Sequence, residues 1–96
     1  MKILITYDVE TVTNEGKSRL RQVAKHCKDY GQRVQNSVFE CTLNGAQYAA
    51  LKDKLLRILN KETDSIRIYH LSDKHSNVIE TMGKETSYDP EGLLLL

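Results

Sequence analysis

The sequence predicts one α+β domain of the ferredoxin-like βαββαβ type, in which two helices cover one face of an antiparallel sheet. Three observations predict it. The chain has 96 residues, the length of one small domain. Its hydrophobic spacing switches repeatedly between strand and helix periods, and an apolar strand occupies residues 2–8. With 40% apolar and 28% charged residues, the composition is that of an ordinary soluble globular protein.

The first strand and the first helix are the most strongly patterned segments. Residues 2–8, KILITYD, are rich in β-formers and nearly continuously apolar, as in a central strand. Thr13 or Asn14 can cap the following helix, and we expect Gly31 to end it in the left-handed conformation. The helix itself is predicted by apolar residues at spacings of three and four: Leu20, Val23, Ala24, Cys27 and Tyr30.

The rest of the chain supplies the remaining elements of this fold. Between Gln32 and Leu43 the period becomes two, which predicts two strands with a tight connection near Asn36 and Ser37. Asn44-Gly45 can begin the second helix. The later elements are, in chain order, a helix over 46–60, a strand over 66–71 and an extra short strand over 78–82.

A domain boundary is expected near residue 82. Residues 1–82 would form the ferredoxin-like domain, and residues 83–96 a C-terminal tail that ends in four leucines. One face of the sheet would lack helices, so we expect it to pack on a second subunit in a homodimer. The tail is either a docking element for a partner or a disordered or self-packed terminus.

Composition excludes several classes of protein. No run approaches the roughly 18 apolar residues of a membrane span, and the first apolar run is too short for a signal peptide, so we expect a cytoplasmic protein without a membrane partner. The net charge of +1 is too small to indicate a nucleic-acid binder by itself. Cys27 and Cys41 have no CxxC companion and are interpreted as small buried apolar residues.

Asp8 is the first candidate for chemistry, because it ends the predicted central strand at the rim of the sheet. Two interpretations stay open: Asp8 caps the loop before the first helix, or it binds a metal ion. Magnesium takes one or two carboxylates together with water and substrate phosphates. A twofold dimer could therefore bring two copies of Asp8 to one ion. Glu10, the nearest other acid, is expected to be solvated.

Arginine side chains are the second candidates. Arg19 and Arg21 lie on the first helix and Arg33 just after it. A guanidinium group is always charged and donates in a fork, which suits phosphate oxygens. The alternative is a solvated helix face whose arginines pair with Glu15 or Asp29. The three histidines, His26, His70 and His75, show no ligand spacing, and His70 is expected to be a packed or surface residue of a strand.

Two motifs together resemble a known family. Tyr7-Asp8 at the end of the first strand and the run GQRVQNSVFE over 31–40, with the arginines of the first helix between them, resemble CRISPR-associated protein 2. The resemblance runs from Met1 to about Met82. That family comprises small metal-dependent endonucleases that also serve as spacer-acquisition subunits.

The resemblance implies a homodimer that exchanges its last strand and binds Mg²⁺, with Mn²⁺ as a substitute, between two Asp8 carboxylates. It implies hydrolysis of phosphodiester bonds in double-stranded DNA or single-stranded RNA by an activated water. Asp8 matches the catalytic metal ligand. The remaining matches are positions that shape the site or the substrate cleft: Tyr7, Arg19, Arg21, Arg33 and Phe39.

A second role implied by the resemblance needs no catalysis. The dimer would bridge two CRISPR integrase dimers and hold duplex DNA during spacer insertion, with the terminal strand or leucine tail docking on the integrase. A third interpretation is a regulatory dimer that binds a small ligand between its subunits, although the sequence offers no ligand motif for it.

Overall fold

The computed structural model describes residues 1–71 and 79–84. In these ranges the chain forms five strands and two helices, in the order that the sequence predicts. Their bounds are β1 Lys2–Asp8, α1 Asn14–Tyr30, β2 Gly31–Gln35, β3 Val38–Thr42, α2 Gly45–Ile58, β4 Ser65–His70 and β5 Ile79–Gly83. No helix in these ranges is long and apolar enough to cross a membrane.

The strands form one antiparallel sheet in the order β2-β3-β1-β4-β5. The first four strands have the ferredoxin-like arrangement, which confirms the predicted fold class. The extra strand β5 lies beside β4 of the same chain, with Tyr69 opposite Ile79 and Ser65 opposite Gly83. Exchange of β5 between two subunits stays a prediction, as does the homodimer. The tail after Lys84 lies outside the described residues.

The core lies between the two helices and one face of the sheet. Ile3 and Ile5 of β1 are fully buried there, as are Phe39 of β3 and Ile68 of β4. Cys27 and Cys41 are free and buried, as predicted. Burial raises the pKa of the Cys27 thiol to about 12, and Cys41 adds to that effect. Both cysteines therefore act as small core residues rather than as reactive thiols.

Alternate side chains of each strand point to the face without helices, called here the open face. From β1, the side chains on this face are those of Leu4, Thr6 and Asp8. In the strand register Thr6 lies between Val38 of β3 and Arg67 of β4. Leu4 and Thr6 are only partly buried.

The ends of the helices differ in detail from the sequence prediction. Thr13 caps α1, as expected, and accepts a hydrogen bond from Gly16 N. The expectation that Gly31 ends α1 in a left-handed conformation is wrong: its φ is −161° and its ψ −164°, so the chain passes directly into β2. A glycine is needed because a Cβ there would lie 2.3 Å from the carbonyl oxygen of Glu40. Asn44 forms a capping box with Gln47, which starts α2 one residue earlier than predicted.

Candidate metal and nucleic-acid site

Asp8 is the last residue of β1 and lies exposed on the open face. It pairs with Ser65 of β4, whose other neighbour is Gly83 of β5. Its carboxylate has no hydrogen bond or ion pair with any of residues 1–71 or 79–84. An exposed, uncommitted carboxylate at the end of a central strand is available to an external cation.

The loop between β1 and α1 is held by residues other than Asp8. Thr13 caps the helix, and Oε1 of Glu10 accepts hydrogen bonds from the N–H of Thr13 at 2.8 Å and from its hydroxyl at 3.0 Å. These bonds, above all the one from the backbone of Thr13, lower the pKa of Glu10. The interpretation of Asp8 as a loop cap is therefore wrong. Glu10 is a loop-binding side chain rather than a solvated one.

A buried acid, Asp64, joins this loop to the turn before β4. Oδ1 accepts from Glu10 N at 3.1 Å and from the Thr63 hydroxyl at 3.0 Å, and Oδ2 accepts from Asn60 N at 3.0 Å. Arg19 Nε donates to Oδ2 at 2.7 Å. Burial disfavours the ionised carboxylate, but Arg19 and these donors outweigh it and lower the pKa of Asp64.

Arg19 points inward from the first turns of α1. Besides Asp64, its guanidinium lies 3.6 Å from Oε2 of Glu10 and 3.4 Å from the hydroxyl of Thr63. The Arg19 side chain is only 15% exposed. Its hydrogen bond with Asp64, opposed by burial, raises the pKa of Arg19. The alternative interpretation, a solvated helix face whose arginines pair with Glu15 or Asp29, does not hold for Arg19, whose ion pairs are with Glu10 and Asp64 from two loops.

Three of the predicted site residues form one cluster on the helix side of the sheet. Tyr7 and Phe39 stack with ring centroids 6.1 Å apart, and the Arg33 guanidinium lies 5.1 Å from the Phe39 centroid. The Tyr7 hydroxyl donates to the carbonyl of Asn36 at 3.3 Å. Phe39 is fully buried and Tyr7 nearly so, whereas Arg33 is exposed. Only Arg33 of this cluster presents a charged group to solvent.

The remaining candidates lie elsewhere on the surface. Arg21 is exposed on α1. His70 is half-buried in β4, with Nε2 lying 3.4 Å from the Tyr48 hydroxyl and 3.2 Å from Oε1 of Glu80. It is a packed histidine, as predicted. His75 lies outside the described residues.

The donors at the end of β1 fit magnesium only in part. Asp8 supplies one carboxylate, whereas the carboxylates of Glu10 and Asp64 already accept hydrogen bonds from within the chain. In the described part of the chain no three His, Cys, Asp or Glu side chains are grouped to hold a metal ion. One carboxylate with water and phosphate ligands is within the range that magnesium accepts, and a second copy of Asp8 would strengthen the site.

Asp64 is the residue that sequence analysis missed. It lies in the charged turn before β4 and no motif marks it. Strand alternation could nevertheless have predicted that Asp64 is buried. Its side chain points to the same side as those of Ile66 and Ile68, which are both buried under the helices. An acid at a helix-facing position must find donors.

Comparison with known proteins identifies the family of this chain. The family model described as CRISPR associated protein Cas2 matches residues 1–78. The CRISPR-associated endoribonuclease Cas2 of Nitratidesulfovibrio vulgaris is 50% identical over 96 residues, covering 100% of this chain and 94% of that protein. The CRISPR-associated endonuclease Cas2 of Halalkalibacterium halodurans is 47% identical over 95 residues, covering 99% of each. The crystal structure of Streptococcus pyogenes Cas2 at pH 6.5 matches with a TM-score of 0.71 and 56% identity, covering 75% of this chain and 87% of that one. The chain therefore belongs to the Cas2 family of CRISPR-associated proteins.

Proposed function

We propose that this protein is a Mg²⁺-dependent endonuclease that hydrolyses phosphodiester bonds of nucleic acid during CRISPR spacer acquisition. The observation that carries the proposal is the contrast among three acids at one end of the sheet. Glu10 and Asp64 are held by hydrogen bonds of the fold, and Asp8 alone is exposed and uncommitted. The names of the relatives, endoribonuclease and endonuclease, support a nuclease and leave both RNA and DNA as substrates.

The proposed site forms at the axis of a homodimer. The open face carries Asp8 at its end and the partly exposed Leu4, Thr6 and Val38 nearer its middle. Burying the apolar Leu4 and Val38 side chains against a second subunit is favourable, and a twofold axis would bring two equivalent Asp8 residues together. A bound magnesium ion would neutralise the scissile phosphate and make an activated water available.

The chain's own residues would bind and orient the substrate. Two Asp8 carboxylates would hold the ion on the open face, and the exposed Arg21 and Arg33 would contact backbone phosphates, which carry no sequence information. Arg19 would shape the same end of the site. Tyr7 and Phe39 would support Arg33 from beneath, because Arg33 lies over the Phe39 ring and Tyr7 stacks on it.

The decisive experiment compares Asp8→Asn with the wild type on duplex DNA and single-stranded RNA, with magnesium, manganese or a chelator present. Asp53→Asn is the matched control, because Asp53 is an exposed acid paired with Arg57 on α2. We expect cleavage only with a divalent cation, loss of cleavage in Asp8→Asn and little change in Asp53→Asn. Equal cleavage by the Asp8 variant would reject the proposal and indicate a contaminating nuclease.

Mixing the two proteins tests whether one ion is shared. If each active site needs both Asp8 residues, a re-equilibrated equal mixture of wild type and Asp8→Asn keeps about one quarter of the wild-type activity per dimer, because random pairing leaves that share of dimers intact. If each subunit cleaves alone, activity falls only to about one half. The second result would contradict the shared site and leave the nuclease proposal in place.

A non-catalytic scaffold that bridges CRISPR integrase dimers is the second candidate. The observation that favours it is the position of β5 at the end of the strand order, since an edge strand can accept a further strand from a partner. We expect Asp8→Asn to keep integrase binding and spacer integration under this role. Removal of the residues after Gly83 tests the tail: unchanged complex formation would rule out docking through it.

A further inference from the structure

The Arg19 guanidinium faces the interior loops of its own domain rather than solvent. Nε donates to the fully buried Asp64 at 2.7 Å, and the terminal nitrogen lies near Glu10 and Thr63. The three partners come from both loops at the end of the sheet that carries Asp8. Arg21, close by on the same helix, is exposed instead, and so is accessible to a phosphate.

Asp64 connects Arg19 to the turn that follows Asp8. It accepts the N–H of Glu10, two residues beyond Asp8, and its own neighbour Ser65 is the strand partner of Asp8. The carbonyl of Asp64 also accepts the N–H of Lys84 at 2.7 Å, so the end of β5 is held at the same point. The start of β4, which pairs with Asp8, is thus tied to the turn after Asp8 on one side and to the end of β5 on the other.

Turning the Arg19 guanidinium toward an external phosphate would break its contact with Asp64, because Nε and one terminal nitrogen are already engaged by the two loops. The buried carboxylate of Asp64 would lose its charged partner, and an unpaired buried charge is strongly destabilising. The Glu10 side chain would lose its arginine as well. A small angular change in the turn would then move the Asp8 carboxylate, and displacements of about 1 Å in a positioned group can cost about a hundredfold in rate.

We propose that Arg19 and Asp64 form a positioning pair that fixes the turn after Asp8, so that Arg19 affects cleavage through Asp64 and not by contact with the nucleic-acid backbone. The link to cleavage rests on the proposed function above. The structural part, protection of the turn by this pair, does not depend on it.

Hydrogen exchange of the Glu10 amide tests the structural part in the full-length protein. Loss of a charge-assisted hydrogen bond should speed exchange about tenfold or more, so we expect that rise in Arg19→Ala and in Asp64→Asn. An asparagine cannot replace the carboxylate in either orientation, because its amide nitrogen would meet donors on both sides. Arg19→Lys keeps the charge and should restore part of the protection, while Arg21→Ala should leave it unchanged.

Salt dependence of nucleic-acid binding and steady-state kinetics test how Arg19 acts. Each neutralised phosphate contributes about 0.9 to the slope of log affinity against log salt on duplex DNA. We expect Arg21→Ala to reduce this slope by about one for each phosphate that Arg21 neutralises in the wild type, and to raise KM. We expect Arg19→Ala to keep the slope and KM while kcat falls, and the double variant Arg19→Ala, Asp64→Asn to be no slower than the worse single variant.

Two results would overturn the proposal. One is a protected Glu10 amide in Arg19→Ala, which would show that the turn does not need the pair. The other is a slope reduced in Arg19→Ala as much as in Arg21→Ala, which would assign Arg19 to phosphate contact. If the wild type neither binds nor cleaves nucleic acid, the proposed function fails, and the exchange measurement still decides whether the pair holds the turn.

Discussion

Asp8 and Asp64 lie at the same end of the sheet and face opposite sides of it. Asp8 pairs with Ser65, the residue directly after Asp64, but Asp8 is exposed on the open face and Asp64 is fully buried on the helix side. The buried carboxylate accepts four hydrogen bonds, two on each oxygen. The exposed one accepts none from the described residues. Asp64 therefore stabilises the fold, and Asp8 is left available for chemistry.

Replacing Asp64 should reduce stability in a pH-dependent way. Asp64→Asn leaves Arg19 without its buried partner, which should lower the free energy of unfolding by about 2–3 kcal/mol at neutral pH. The folded-state pKa of Asp64 is lowered, so its ionisation stabilises the fold above the unfolded value of 3.8 and this contribution is lost as pH falls through the folded pKa.

Urea denaturation of both proteins at about pH 7 and about pH 3 measures this difference. We expect a smaller gap between wild type and Asp64→Asn at the lower pH, and no gap at either pH for Glu62→Gln, an exposed acid of the same turn. A gap that stays constant between the two pH values would show that the ionised form of Asp64 is not the stabilising one.

Gly16 in the first turn of α1 should not tolerate a side chain. A Cβ at this position would lie 2.1 Å from the backbone oxygen of Glu10, so the loop would have to move. We expect Gly16→Ala to lower the free energy of unfolding by about 1–3 kcal/mol. Gly45→Ala is the matched control, because nothing lies within 4 Å of its Cβ position. Thermal unfolding should show Gly45→Ala at or above wild-type stability; equal losses in both would refute the steric explanation.

The ion pair between Lys52 of α2 and Glu80 of β5 should hold the edge strand in place. Lys52 is the main cause of a lowered pKa at Glu80, and His70 also contacts the same carboxylate. We expect Glu80→Gln to weaken β5 by up to about 1 kcal/mol, seen as up to about fivefold faster amide exchange across that strand. Lys54→Gln, an exposed change on the same helix, should leave β5 unaffected. Equal exchange in wild type and Glu80→Gln would indicate that backbone pairing alone holds β5.

Phe39 should affect stability rather than substrate binding, because its ring is fully buried. Phe39→Ala should lower the free energy of unfolding by about 3–5 kcal/mol, whereas Phe39→Leu should cost about 1 kcal/mol and keep cleavage. Arg33→Ala is the comparison: it should leave stability nearly unchanged and weaken nucleic-acid binding. A folded Phe39→Leu protein that binds no substrate would contradict this division and place the ring at the substrate.

Local spacing in the sequence was enough to predict the elements and their order. Alternation in residues 38–43 and the stripe from Leu20 to Tyr30 predict β3 and α1, because side-chain direction follows from backbone period alone. The same locality explains the error at Gly31. A glycine after a helix suggests a left-handed helix end. At Gly31, however, a glycine is needed because Glu40 and Cys41 of the neighbouring strand leave no room for a Cβ atom.

The sequence by itself determined the fold class, the buried cysteines and the place of Asp8 at the end of a central strand, since each follows from residues near one another in the chain. Only the tertiary structure decided which acids and arginines are available. Arg19 and Arg21 look alike in the sequence, yet Arg19 meets Asp64 across 45 positions, and Asp64 meets Glu10 across 54. Whether a charged side chain is buried in hydrogen bonds or left exposed depends on partners that are far away in the sequence. Those partners come together only in the folded chain.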